Sequence, residues 1–299
     1  MPKGATVSHA ATEISSQPSC WADATQLAGQ VHALLPSPGE RVAVVGCGTS
    51  FNMALAYARL REDAGRGLTD AMAASEALRT RQYDRYLLIS RSGTTSEVLD
   101  VAASLPPGAR ATALTVGPGT PLAEMVPSVM LPFAGEESVV QTRFATSVLV
   151  LLRRHLGEDT SGLPEQAGLA LAEPLPEAAS RATRFSFVGS GWTVGLAHEA
   201  ALKLREAAQM WTESYAAKEL RHGPISVLDA ESVVWCFGPA PDGLERDVRA
   251  TGATFVPSGL DPLAELVRAQ RVAVELAGAK GLDVDHPRNL SFSVVLGSA

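Results

Sequence analysis

The sequence predicts an α/β protein built from two tandem domains, residues 1–160 and 161–299, each with a doubly wound parallel sheet. The stretch RVAVVGCGTSFNMALAYA at 41–58 returns as RFSFVGSGWTVGLAHEAA at 184–201, which places two Gly-x-Gly turns 143 residues apart. Such self-similarity indicates two copies of one strand–turn–helix unit. Apolar, β-forming runs also alternate with helical stretches in both halves, and this order is typical of a parallel sheet covered by helices on both faces.

The individual elements follow from the apolar runs and from the turn residues between them. The first half is predicted to contain a leading helix at 19–35, strands ending at Gly46 and lying at 86–90, 112–116 and 128–132, and helices at 96–105 and 138–155. The second half is predicted to contain a strand ending at Gly189 and strands at 231–237 and 254–258, with no strand between the helix after Gly189 and residue 231. Residues 157–178 are rich in Pro, Gly and Glu and are predicted to connect the halves.

Five hydroxyl side chains follow the strand predicted at 86–90, and Gly93 lies among them. They are Ser90, Ser92, Thr94, Thr95 and Ser96. One interpretation is that these residues only form a turn and cap the next helix. The other is an anion site, because a helix N-terminus offers free N–H groups and a positive dipole, and ligands of parallel sheets bind beyond the carboxyl ends of strands. The second half has Phe237-Gly238-Pro239 at the equivalent place, so only the first half is predicted to hold an anion.

Composition narrows the class of partner. The 299 residues carry a net charge of −7, which argues against nucleic acid and anionic membranes as partners. No apolar run approaches the ~20 residues that span a bilayer, and the first 16 residues lack the apolar core of a secretory signal. Three scattered cysteines fit reduced thiols. The sequence therefore predicts a soluble cytoplasmic protein with neither nucleic-acid nor membrane partners.

The glycine-rich turn of the second half suggests a dinucleotide-binding site as an alternative. Gly189, Gly191 and Gly195 resemble a Rossmann fingerprint, but this fingerprint also requires an acidic residue about 20 positions on, at the end of a second strand. Residues 206–215, EAAQMWTESY, are predicted to be helix or loop rather than such a strand. No phosphate-loop motif occurs, and the six histidines lack metal-ligand spacing. We expect no cofactor and no metal.

Candidate acid–base residues lie between positions 198 and 228. Glu199, Lys203 and Glu206 are spaced i, i+4 and i+7, so they share one face of a helix. Spacing alone favours a solvated face with an ordinary Glu–Lys pair. His222 precedes Gly223-Pro224 and is predicted to lie in a turn. A carboxylate and a histidine brought together could move protons between the carbons and oxygens of a sugar.

The order of seven motifs resembles that of the tandem sugar-isomerase-domain (SIS) proteins. The motifs are EISSQP (13–18), GCGTS (46–50), SRSGTTSE (90–97), EESVVQTRF (136–144), EAALKLRE (199–206), ESYAAKELRHGP (213–224) and GLDVDHPRNL (281–290). This family has a flavodoxin-like, phosphosugar-binding fold and includes the isomerase half of glucosamine-6-phosphate synthase. The resemblance covers nearly the whole chain.

The resemblance implies a site for hexose or hexosamine 6-phosphates. Ser90, Arg91, Ser92 and Thr95 match the turn that holds the 6-phosphate in this family, and Thr49 and Ser50 match positions that line the same pocket. Glu206 matches the general base that moves a proton between C1 and C2. His222 matches a residue that assists ring opening from the neighbouring subunit, which implies a homodimer with shared active sites. Glu199 and Lys203 match charged residues beside the base.

Two departures limit what the resemblance implies. The family's synthases carry a lysine two residues beyond PRNL that forms a Schiff base, but Phe292 stands there. Only about 40 residues precede the first Gly-x-Gly unit, so we expect no glutaminase domain and no glutamine-dependent synthesis. The expected function is aldose–ketose isomerisation of a phosphosugar or deamination of an amino-sugar phosphate. The alternatives are a deglycase acting on a 6-phosphorylated ketosamine and a non-catalytic sugar-phosphate-binding protein.

Overall fold

Two parallel sheets and the helices around them make up the fold. The computed structural model describes residues 7–78 and 80–297. Within these ranges the strands are β1 (Val42–Gly46), β2 (Thr69–Ala73), β3 (Arg85–Ile89), β4 (Arg110–Thr115), β5 (Ser128–Met130), β6 (Arg184–Gly189), β7 (Thr212–Ala216), β8 (Ser232–Phe237) and β9 (Thr254–Val256). The helices are α1 (His9–Ser15), α2 (Gln17–Gln30), α3 (Thr49–Asp63), α4 (Ser96–Ala103), α5 (Pro121–Met125), α6 (Arg143–His155), α7 (Leu163–Ala172), α8 (Thr193–Ala208), α9 (Leu244–Ala250) and α10 (Pro262–Ala279).

The two sheets have corresponding strand orders. The first sheet runs β2-β1-β3-β4-β5 and the second runs β7-β6-β8-β9, and every strand pair is parallel. The α/β class and the predicted strands are confirmed, with ends that shift by one or two residues. In each sheet, the Gly-x-Gly turn joins the strand that comes first along the chain to the helix that follows it. The second glycines of these turns, Gly48 and Gly191, have φ of +51° and +59°. That the halves are copies of one unit stays a prediction.

One predicted feature of the second half is wrong. Residues 212–216 form strand β7, which pairs with β6, although no strand was expected before residue 231. Four of its five residues are only half-buried, so it lacks the apolar run that marks an inner strand. Residues 163–172, within the predicted connection, form helix α7, which packs against α2 and α10. Its Pro at the first turn is compatible with a helix start rather than a break.

One hydrophobic core lies between the two sheets and contacts both. It contains Val44 of β1 and Phe187 of β6 together with the inner faces of α3, α6, α8 and α10. Two smaller clusters cover the outer faces, with Val45 in the first and Val188 in the second. Neighbouring residues of one strand therefore enter different clusters, as expected of sheets covered on both faces. Because the sheets share one core, the tandem-domain boundary at 160/161 stays a prediction, and the outer limits of both predicted domains lie outside the described residues.

Helices α3 and α8 cross at a glycine. A Cβ atom added to Gly195 would lie 2.6 Å from the carbonyl oxygen of Asn52 and 2.9 Å from the backbone nitrogen of Ala56. Both of these atoms belong to backbone, which has little freedom to yield. The absence of a side chain at position 195 therefore lets the two helices approach closely and brings the later turns of α8 against the start of α3.

We expect Gly195→Ala to lower the free energy of unfolding by about 1–3 kcal/mol, the usual cost of overpacking a core. Urea unfolding of the variant and the parent measures this. Gly168→Ala is the matched control, because a Cβ on Gly168 in α7 would contact nothing within 4 Å, and in a helix this change adds roughly 1 kcal/mol of stability. Equal effects of the two substitutions would contradict the close helix crossing.

Candidate active site

A buried cluster of charged side chains joins the two halves of the chain. Lys203 Nζ lies 3.3 Å from Glu199 Oε1 and 2.5 Å from Glu206 Oε2. The side chains of Lys203 and Glu199 are each 1% exposed, whereas that of Glu206 is 21% exposed. Thr49 Oγ1, at the start of α3, donates to Glu199 at 3.0 Å and accepts from Lys203 at 2.9 Å. Asn52 Nδ2 donates to the second oxygen of Glu199 at 2.9 Å.

The interpretation of Glu199, Lys203 and Glu206 as a solvated helix face is therefore wrong. An i, i+4 Glu–Lys pair looks the same in sequence whether its helix face meets water or another helix. Here α3 covers that face. Asn52 is a site residue that the sequence did not single out, although it follows Thr49 by three positions and so lies on the same side of α3.

Two carboxylates share one ammonium group in this cluster. Burial alone would lower the pKa of Lys203, but the carboxylates of Glu199 and Glu206 outweigh this effect, so its pKa is raised and it stays protonated. Burial raises the pKa of Glu199, against the influence of Lys203 and of the Asn52 and Thr49 hydrogen bonds. With all three groups ionised the cluster would carry a net negative charge, so it is an environment in which a proton can be accepted.

Glu206 lies at the edge of this cluster and opens onto a cavity. The cavity measures about 480 Å³ and is lined by Leu202, Arg205, Glu206, Gln209, Met210, Trp211, Arg288, Asn289 and Leu290. Lys203 holds one oxygen of Glu206, and none of the described residues hydrogen-bonds the other. This arrangement leaves a positioned carboxylate oxygen beside a space that is large enough for a sugar phosphate.

The predicted anion turn lies beyond the carboxyl end of β3 and leads into α4. Ser90 is buried, and its hydroxyl accepts from the backbone N–H of Gly93 at 3.2 Å and lies 3.4 Å from Thr95 Oγ1. Ser92 Oγ accepts from the backbone N–H of Thr94 at 3.2 Å. The hydroxyl groups of Ser90, Ser92 and Thr95 therefore lie within one turn, as the sequence predicted. Thr94 belongs to the same group.

The start of α3 lies beside this turn. Strands β1 and β3 are neighbours in register, with Gly46 paired to Ile89, so the residues that follow them lie at the same edge of the sheet. Ser50, like Thr49, is buried there. Thr49 thus connects the charged cluster to the edge that carries the anion turn.

The Arg91 guanidinium is bonded to other parts of the chain and is therefore not a free cation in the turn. It donates to Glu136 Oε2 at 3.1 Å, to the carbonyl oxygens of Ser138 and Val139 at 3.0 and 3.2 Å, and to that of Phe292 at 3.0 Å. It also lies 3.8 Å above the centroid of the Phe292 ring. Arg91 therefore ties the anion turn to the loop before α6 and to the C-terminal segment, and Phe292 supplies an aromatic surface for it.

His222 makes no polar contact with Glu206 within the described part of the chain. It follows a one-turn 3-10 helix, Glu219–Arg221, and lies in a turn, as predicted. Its side chain is exposed. Among the described residues, no hydrogen bond or ion pair joins its side chain to the charged cluster or to the anion turn. The structure thus joins Thr49, Glu199, Lys203 and Glu206 by hydrogen bonds and ion pairs, and it places Ser90, Arg91, Ser92 and Thr95 in one turn. Ser50 is buried beside Thr49, and the described contacts join His222 to neither group.

The described part of the chain holds neither a metal-binding cluster nor a membrane-spanning helix. Residues 7–78 and 80–297 contain no group of three His, Cys, Asp or Glu side chains that could hold a metal ion. None of the helices in the same ranges combines the length and apolar character needed to cross a bilayer.

The fold is the one found in solved structures of several phosphosugar enzymes. A glucosamine-6-phosphate deaminase from Thermotoga maritima superposes with a TM-score of 0.80 at 23% identity, covering 97% of this chain and 100% of that one. A tagatose-6-phosphate ketose/aldose isomerase from Escherichia coli superposes with a TM-score of 0.74 at 18% identity, covering 96% and 99%. At these identities the likeness establishes the fold.

The sequence itself is similar to that of a group of aminotransferases. The isomerizing glutamine–fructose-6-phosphate aminotransferase of Symbiobacterium thermophilum is 30% identical over an alignment of 327 positions, which covers 90% of this chain. The chain spans about half the length of the curated relatives it matches, 53% in this case. No family model matches the chain.

We expect Lys203→Met to lower the free energy of unfolding by about 3–5 kcal/mol near pH 8, because it leaves a buried carboxylate without its partner. The substitution removes the influence that lowers the pKa of Glu199, so this pKa rises further. A carboxyl group whose pKa is higher in the folded state stabilises at low pH and loses that contribution as pH rises. The deficit should therefore shrink between pH 8 and pH 5.

Urea unfolding at several pH values measures this effect. Lys280→Met is the control, because Lys280 is exposed and bonds only to the Ala208 carbonyl and the Met210 sulfur. A deficit in Lys203→Met that is the same at pH 5 and pH 8 would contradict the assigned charge state.

Proposed function

We propose that the protein is an enzyme that moves a proton between C1 and C2 of a hexose or hexosamine 6-phosphate, as an aldose–ketose isomerase or an amino-sugar-phosphate deaminase. The observation that carries this proposal is the Glu206 carboxylate, held at 2.5 Å by the buried Lys203 and facing a cavity of about 480 Å³. Similarity to an aminotransferase that isomerises its sugar phosphate, and a fold shared with a deaminase and an isomerase, support the same class.

Glu206 would act as the general base. It takes the proton from C2 of the open-chain sugar, and a C1–C2 enediol or enaminol forms as O1 takes up a proton. The proton then returns from Glu206 to C1 while O2 or the C2 amine loses one, which gives the ketose or the ketimine. In a deaminase, water then adds to C2 of the ketimine and ammonia leaves, which yields the ketose phosphate. Lys203 would orient Glu206 and offset the negative charge that accumulates near C1 and C2.

The hydroxyl turn would hold the phosphate. Ser90, Ser92 and Thr95 can donate to phosphate oxygens, and the N-terminus of α4 adds backbone N–H groups. Ser50 would contribute from the start of α3. Because its guanidinium is already engaged, Arg91 would act by fixing the turn, and its contact with phosphate would be through its backbone.

A homodimer would bring His222 to the site. The His222 side chain is exposed and has no described hydrogen bond or ion pair with the charged cluster of its own chain, so we expect a second subunit to bring it to the site. Trp211 supports such an interface, because it is 84% exposed on the rim of the cavity that contains Glu206. A large exposed aromatic side chain is typical of a surface that is covered in an assembly. A cytoplasmic location stays a prediction.

A panel of hexose and hexosamine 6-phosphates, with NMR detection of sugar products and ammonia, tests the proposal. We expect turnover by the parent and a loss of ~10²-fold or more in Glu206→Gln, which is nearly isosteric and removes the base. Glu213→Gln, in β7 and outside the cavity, is the matched control and should retain turnover. Phosphosugar binding without turnover by the parent would instead favour the non-catalytic alternative, and normal turnover by Glu206→Gln would remove this residue as the base.

The shared site predicts complementation between two inactive variants. Glu206→Gln and His222→Ala should each be nearly inactive, and mixing them with subunit exchange should restore activity, because a mixed C₂ dimer has one site with both residues intact. Random exchange of equal amounts gives about a quarter of the parent activity. Native mass spectrometry of differently tagged chains verifies the exchange. Exchange without recovery would show that His222 does not complete a partner's site.

A further inference from the structure

The C-terminal segment, residues 291–297, contacts the turn that we propose binds the phosphate. Ser293 Oγ accepts from Ser92 Oγ at 3.1 Å and from Thr94 Oγ1 at 3.0 Å, and it lies 3.4 Å from Thr95 Oγ1. The backbone N–H of Ser96 at the start of α4 donates to the carbonyl oxygen of Val294 at 3.1 Å. The hydroxyl donors and a first-turn N–H thus already have acceptors, and the segment supplies them.

These acceptors resemble what an anion would offer. Three hydroxyl groups from one turn converge on a single oxygen atom, that of Ser293. A phosphate oxygen is a stronger acceptor than a neutral hydroxyl, because charge-assisted hydrogen bonds are roughly twice as strong as neutral ones. A phosphate group and the Ser293 hydroxyl cannot occupy this point together.

We infer that Ser293 holds the place of a phosphate oxygen in the free enzyme, that Thr94 is a further ligand of the phosphate, and that the C-terminal segment competes with the substrate's phosphate for the turn. The inference rests on the proposed function, since it concerns the same phosphate site. The segment would therefore lower the affinity of the turn for phosphate esters as long as it stays bound there.

The segment is held in a way that allows it to leave. Val294, Val295 and Leu296 are 49%, 67% and 60% exposed, so little apolar surface is lost from contact when the segment detaches. Its hold on the turn consists of the Ser293 contacts, the Ser96–Val294 bond and a bond from the Leu296 N–H to Ser96 Oγ at 2.8 Å. Phe292, bonded to Arg91, is the point from which it would swing.

Binding of inorganic phosphate to Ser293 variants, measured by calorimetry, tests the competition. Ser293→Ala removes the acceptor and should tighten binding by roughly three- to tenfold, because apparent affinity scales with the fraction of open turns. Ser293→Asp places a carboxylate among the donors and should weaken binding by a similar factor. Val295→Asp is the matched control for charge, because Val295 is exposed and the substitution adds the same carboxylate two residues away. This variant should bind inorganic phosphate almost as the parent does.

Thr94→Val, introduced into the Ser293→Ala protein, isolates the role of Thr94. We expect binding of inorganic phosphate to weaken by about tenfold relative to Ser293→Ala alone, the effect of losing a hydrogen bond to a charged group. Unchanged binding would exclude Thr94 as a ligand.

Hydrogen exchange of the intact protein provides the decisive readout. On saturation with glucosamine 6-phosphate, the peptide covering 291–297 should exchange faster, because the Leu296 N–H loses its partner. Slower exchange would mean that the segment closes over the ligand, and it would overturn the competition. Equal phosphate binding by the parent, Ser293→Ala and Ser293→Asp would also overturn it while leaving the phosphate site in place. Failure of the parent and Ser293→Ala to bind any phosphate would overturn both assignments.

Discussion

The close crossing of α3 and α8 at Gly195 is the constraint on which the site depends. The backbone of α3 occupies the space where a side chain at 195 would lie, so the two helices approach closely enough for Glu199 to reach Thr49 and Asn52. Glu199 and Lys203 lie one and two turns further along α8, and α3 shields them from water. A wider crossing would leave both charges either solvated or buried without hydrogen-bond partners.

Burial of these charges gives the site its rigidity. Glu199 is held by two donors from the first half of the chain and by Lys203, and Lys203 in turn fixes Glu206 at the border of the cavity. Removing any one of these partners would leave a buried charge uncompensated. The loss of folding free energy would be far larger than that of breaking a surface ion pair. Glu206 is thus positioned by two buried residues, and it is the more exposed member of the cluster.

Arg91 has the corresponding role in the turn after β3. Its contacts with the loop at 136–139 and with Phe292 fix the anion turn from behind and connect it to the C-terminal segment. A lysine that could form a Schiff base is absent at position 292, and the aromatic ring there packs on the guanidinium instead. Proteins with this fold include a deaminase and a ketose/aldose isomerase.

The sequence by itself determined the features that depend on neighbouring residues. Most of the strands, both Gly-x-Gly turns and the hydroxyl turn at 90–95 follow from local periodicity and turn chemistry. Strands β2 and β7 escaped prediction because most of their residues are only half-buried and leave no apolar run. Only the tertiary structure decided that Glu199 and Lys203 are buried, that the Arg91 guanidinium bonds to the loop at 136–139 and to Phe292, and that Ser293 contacts the anion turn. These contacts join residues 45 to 201 positions apart, and the free energy of burial depends on what covers a residue, which its own neighbours in sequence do not specify.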